Sequence, residues 1–210
     1  MLSYYQENAD RMLQLTLEHA EMVLTALLFS IIVAIVIIRI FLHQKKELAG
    51  LTYFFSLLYS IPSYAFFVFL IPVTGLSKIS AIIVLAIYGE YVLLRNFITG
   101  INQVDPTYLE IARGSGMSES QIFTKVQLPL AMPAIFSGVR VALSSMMAIG
   151  TIASTISAGG LGDLLFEGLQ TGRVAPLLWG TLLTVGLTLI CLLVLKLLEN
   201  IVIGDWPQYA

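Results

Sequence analysis

Runs of Ile, Leu, Val, Phe and Ala recur along this sequence with almost no charge inside them, separated by short polar stretches. A hydrocarbon core roughly 30 Å thick is crossed by a helix of about 20 apolar residues. By that ruler the pattern predicts spans near 22–42, 51–72, 77–95, 130–157 and 175–198. Glu90 interrupts the third, and the fourth is studded with Gly, Ser and Thr, which suits close helix–helix approach. Ahead of the first span, Leu13, Leu17 and Ala20 fall at helical spacing and predict a short interfacial helix within residues 1–20. That N-terminus lacks the basic start of a cleaved signal peptide, so the run beginning near Met22 is expected to stay as a membrane anchor.

One stretch breaks the pattern. Residues 105–129, DPTYLEIARGSGMSESQIFTKVQLP, are rich in charge, Gly and Ser. Asp105 can cap a helix N-terminus with Pro106 at the first helical position. Tyr108, Ile111 and Ala112 then share a face, and Gly114 and Gly116 can end the helix through left-handed backbone. Ser118 followed by Gln121 is a capping-box pattern that starts a second helix. Two short surface helices joined by a glycine elbow are predicted, with Pro129 and Pro133 redirecting the chain into the membrane.

Composition agrees. Of 210 residues, 58% are hydrophobic and 11% charged, against roughly 25% charged in soluble domains. The reading is an all-α integral membrane protein: one transmembrane domain over 1–210 with about five spans. A net charge of −2 offers no basic field for nucleic acid. Lys and Arg distribution sets orientation. With the N-terminus outside, the inner side holds Arg39, Lys45, Lys46, Arg95, Arg113, Lys125 and Lys196, and the outer side Arg11, Lys78 and Arg173. The bias puts segment 105–128 and the C-terminus in the cytoplasm. The single cysteine, Cys191, sits in an apolar run and reads as a packing residue.

Glu110-x-Ala112, three residues, Gly116, nine residues, then Val126-Gln127-Leu128-Pro129 resembles the E-A-A…G…I-x-L-P signature of ABC importer permease subunits. Ile111 and Val126 are mild departures. The resemblance implies a coupling helix between spans three and four, with Glu110, Ala112, Gly116, Leu128 and Pro129 as its marked positions. It also implies a cytoplasmic ATPase, a second permease subunit, an extracytoplasmic binding protein, and residence in a bacterial plasma membrane. Residues 60–72, 93–117 and 156–169 are similar to the osmoprotectant branch, which imports glycine betaine, carnitine and choline. The methionine-importer branch shares the five-span core and the GGLGD turn. A G-x-x-x-x-G-K-[ST] phosphate loop does not occur in this sequence, so ATP and Mg²⁺ are expected on the partner and no cofactor on this chain.

Other residues suggest less. Glu90 and Arg140 lie within apolar runs, where ionisable groups are costly and often functional; an intramembrane Glu90–Arg140 pair is one expectation. The aromatics of the second span, Tyr53 to Phe69, can attract a quaternary cation or simply pack. Residues 157–173 suit contact with a docked binding protein, an outer gate or a re-entrant plug. His19 and His43 are far apart and suggest no metal site. No nucleophile–base constellation appears, so no catalytic residue is expected. A passive channel or membrane scaffold is the reading from another class.

Overall fold

The structure, a computed structural model, describes residues 1–42 and 44–204; His43 and the last six residues lie outside that set. Among the described residues the elements are helical throughout: α1 (Leu2–Phe41), α2 (Lys45–Ser60), α3 (Ser63–Thr74), α4 (Lys78–Asn102), α5 (Pro106–Gly114), α6 (Glu119–Ile122), α7 (Leu128–Ile152), α8 (Gly162–Thr171) and α9 (Val174–Ile203). A π-type turn, Phe123–Gln127, links α6 to α7, and a 3₁₀ turn, Ala153–Ile156, follows α7.

Four stretches are long and apolar enough to cross a membrane: Leu2–Phe41, Lys78–Asn102, Glu119–Ile156 and Val174–Ile203. The second expected span departs from the pattern. In place of one helix over 51–72, α2 and α3 meet at 98°. Pro62 disfavours helical backbone at the residue before it, and Ile61 accordingly sits at φ −69°, ψ 132°. The Tyr88 hydroxyl of α4 donates to the Ile61 carbonyl at the break.

The N-terminal segment is also corrected. It is no separate interfacial helix, because no Gly or Pro interrupts residues 2–41 and α1 runs unbroken for 40 residues. At 1.5 Å per residue this is about 60 Å, twice the hydrocarbon thickness. Its inward face is Tyr4, Met12, Leu15, His19 and Met22, whereas Leu13 and Leu17 are 62% and 61% exposed.

The core centres on α4, which packs against α7 and α1. Glycines set the α4–α7 distance. A Cβ on Gly138 would lie 2.5 Å from the Asn96 Cβ, and one on Gly100 would lie 2.6 Å from the Ala134 Cβ. Small residues at such crossings let backbones approach where apolar burial gives no drive between helices in lipid. A smaller cluster, Tyr4, Met12, Leu15, Leu161 and Leu164, docks the extended start of α1 on α8 and the beginning of α9.

Candidate functional site

The polar segment folds into a compact elbow at one end of the bundle. Asp105 caps α5: its carboxylate accepts from the Thr107 amide at 2.8 Å, which holds that carboxyl below the ordinary carboxylate range. At the other end of α5 the Met117 amide reaches the Ala112 carbonyl at 3.2 Å and the Gly116 amide reaches Arg113 at 2.9 Å. These two bonds, with Gly116 at φ +80°, form a Schellman turn. Gly114 keeps a negative φ and ends the helix without a left-handed turn of its own.

Ser118 then starts α6 with a complete capping box, its hydroxyl accepting from the Gln121 amide while the Gln121 side chain accepts from the Ser118 amide. Across the turn the Arg113 guanidinium donates to both Glu119 carboxylate oxygens, at 2.9 and 3.3 Å. Both side chains are more than half exposed, so solvent screens the pair and its role is geometric. The Gln127 amide anchors the segment to the end of α4 through the Ile101 carbonyl at 3.1 Å.

Burial sorts the motif residues. Ala112, 5% exposed, is the buried residue of α5, and Leu109 packs on the core. Ala112 is therefore part of the elbow's own packing, and the shared face expected of Tyr108, Ile111 and Ala112 divides. Tyr108 (41%), Ile111 (63%) and Glu110 are exposed. Leu128 and Pro129 do not start a new element: the Leu128 amide bonds the Phe123 carbonyl, five residues back, so α6, the π-type turn and α7 are one continuous helix. Pro129 occupies its first α-helical turn and Pro133 lies inside it.

The structure does not join Glu90 to Arg140. Arg140 donates to Glu199 on α9 at 2.5 Å, and Lys196 joins the same carboxylate at 3.1 Å. Glu90 is 3% exposed, and its Oε1 has no hydrogen-bond partner. Sequence reasoning missed Glu199; its signal is an acidic residue near the end of an otherwise apolar last span. Of the second-span aromatics, Phe66 and Phe67 are buried and Tyr59 stacks near Tyr88 and Tyr91, while Tyr53, Tyr64 and Phe69 remain exposed.

At the opposite end, residues 157–173 are strapped by the start of α1. Arg11 pairs with Glu167 at 2.5 Å, and Glu18 accepts from the Gly160 amide at 3.3 Å. Gly159 and Gly160 adopt φ +77° and +84°, and a Cβ on Gly159 would lie 2.6 Å from the Glu18 carboxylate. Burial pushes the Asp163 carboxyl of α8 above its usual range, with Arg11 opposing.

Comparison with known proteins agrees with this architecture. Residues 26–203 match the family described as binding-protein-dependent transport system inner membrane component. The glycine betaine/carnitine/choline transport system permease protein OpuCB of Bacillus subtilis is 35% identical over 170 residues, covering 81% of this chain and 78% of that protein. The carnitine transport permease protein OpuCB of Listeria monocytogenes is 34% identical over 182 residues, covering 87% and 84%. Among solved structures, a chain of the MetNI methionine ABC transporter in inward-facing conformations superimposes with a TM-score of 0.76 at 18% identity, covering 88% of this chain and 93% of that one. At that identity the likeness concerns the fold alone.

A helical bundle of membrane length with this elbow between its third and fourth crossings is an ABC-type permease, the membrane-spanning part of a transporter. The chain belongs to the family of inner membrane components of binding-protein-dependent transport systems.

Proposed function

We propose that this chain is the permease subunit of an ATP-driven importer of quaternary-amine osmoprotectants of the glycine betaine, carnitine and choline type. Its partners are a cytoplasmic ATPase that binds ATP and Mg²⁺, a second permease subunit and an extracytoplasmic binding protein. The N-terminus faces outward, and the elbow and C-terminus face the cytoplasm. The observation that carries the coupling role is the elbow itself: a rigid turn presenting Glu110, Tyr108 and Ile111 outward while Ala112 packs inward. Exposed apolar side chains beside a carboxylate suit a protein groove.

Transmission follows from continuity. Glu119–Ile156 is one helical rod of 38 residues, about 57 Å at 1.5 Å per residue. A displacement of α6 by an ATPase is therefore carried along one continuous helix toward α8, with the π-type turn at Phe123–Gln127 and Pro133 as the places where that helix can bend. The substrate class is supported by the names of the similar permeases. A permanently charged solute cannot cross by losing a proton, so it needs a path of neutral polar surface. Exposed Ser137 and Ser144 on α7 supply such groups, flanking Arg140, whose charge is balanced by Glu199.

The test uses a strain without other osmoprotectant importers. Deleting this chain should abolish betaine-like uptake at high osmolarity, and the tagged protein should copurify an ATPase. Unchanged quaternary-amine uptake with lost methionine uptake would reassign the substrate; purification without any ATPase would remove the importer reading.

A further inference from the structure

The elbow end of the bundle holds a cavity of about 650 Å³ between the last turns of α1, the first half of α2 and the last turns of α4. Lys45 and Arg95 line it, and no acidic side chain does so among the described residues. Arg95 is steadied by its neighbour on α4, donating to the Tyr91 hydroxyl at 3.2 Å. Lys45 is the first residue of α2, and no side chain caps that helix. Its unpaired amides and the helix dipole add positive character to the same wall, partly offset by Glu47, which sits in the same first turn but outside the lining.

The lining mixes polar and apolar side chains. Thr52 and Asn102 contribute a hydroxyl and an amide, while Ile38, Leu42 and Leu48 form an apolar wall. The cavity lies where α1 gives way to the polar run Gln44–Glu47 and α4 ends at Asn102. This is headgroup depth in a bilayer. A transported quaternary ammonium group would meet two like charges here, so the cavity is a poor waypoint for it. An anion with an apolar tail suits both kinds of lining.

We propose that this cavity is a phosphate-ester site occupied by an anionic glycerophospholipid from the leaflet on the elbow side. Lys45 and Arg95 hold the phosphate and the acyl chains lie along Ile38 and Leu42. Basic pockets between membrane helices on the cytoplasmic side are suited to such headgroups. Naming this the inner leaflet rests on the orientation proposed above; the lipid-binding test does not depend on orientation or transport.

The intact complex is purified in detergent with phosphatidylglycerol, and the lipid retained is measured by native mass spectrometry. Wild type should retain it, and Lys45→Gln/Arg95→Gln should retain roughly twenty-fivefold less, at about fivefold per cation near an anionic surface. The charge-conserving Lys45→Arg/Arg95→Lys variant should keep the lipid, which separates lost charge from lost folding. Lys46→Gln, adjacent but outside the lining, should also keep it. Equal retention by the double Gln variant, or equal loss in Lys46→Gln, would overturn the site. Complete displacement by excess inorganic phosphate would overturn the lipid as its occupant in favour of a free anion.

Discussion

Gly116 isolates a purely conformational requirement. A Cβ there would meet nothing within 4 Å, yet its φ is +80°. Gly114, two residues earlier, has equally open space and a negative φ. Left-handed backbone costs an ordinary L-residue roughly 1–2 kcal/mol, and a β-branched one tolerates it least. Gly116→Val should therefore disorder the elbow and abolish transport, whereas Gly114→Ala should transport normally. Normal transport by Gly116→Val in an assembled complex would remove the elbow from coupling. Residue spacing made the caps at Asp105 and Ser118 legible, because both are local hydrogen-bond patterns. Local capping patterns alone could not distinguish Gly114 from Gly116, since either can end a helix and the choice depends on which amides find carbonyls; only the motif resemblance marked Gly116. Nor could residue spacing give Ala112 its inward place or Arg140 its partner on α9, which only the tertiary arrangement supplies.

At the scale of elements, the apolar runs located the crossings but not their internal breaks or their mutual distance. The Pro62 signal lay inside a run that hydropathy alone reads as one span. The crossing of α4 and α7 depends on which of many glycines face a neighbour. Gly138 is held by the Asn96 Cβ at 2.5 Å, whereas Gly186 on α9 has nothing within 4 Å. Neither contact at Gly138 nor the opposing one at Gly100 involves the far end of a flexible side chain. Gly138→Val should therefore force the helices apart and destabilise the subunit by about 1–3 kcal/mol, the usual range for an overpacked core. Gly186→Val should leave the melting temperature nearly unchanged. Comparing both variants with wild type by thermal melting in detergent checks this: similar melting of Gly138→Val and Gly186→Val would mean that the α4–α7 crossing is not close-packed as described.

For the whole molecule, four long crossings and the bent α2–α3 pair, counted as a fifth, would place the two ends of the described chain on opposite sides of the membrane. The start of α1, the α3–α4 turn and α8 then share one side, and the elbow and the end of α9 the other. Hydropathy made the four long crossings legible because each is a long averaged signal, whereas the α2–α3 pair reads as a fifth only when its two bent halves are taken together. Charge carries the orientation proposal through Lys and Arg near the crossings, independently of any contact inside the bundle. The structure offers one exposed probe on each side: Ser118 in the elbow and Thr171 at the end of α8. In a Cys191→Ser background, Ser118→Cys should resist an impermeant thiol reagent in intact cells and react once the membrane is opened. Thr171→Cys should react in intact cells. Reversed labelling would invert the orientation while leaving the fold intact, and it would put the elbow beyond the reach of any cytoplasmic ATPase. Labelling of both sites from outside would instead mean that an odd number of crossings does not separate them.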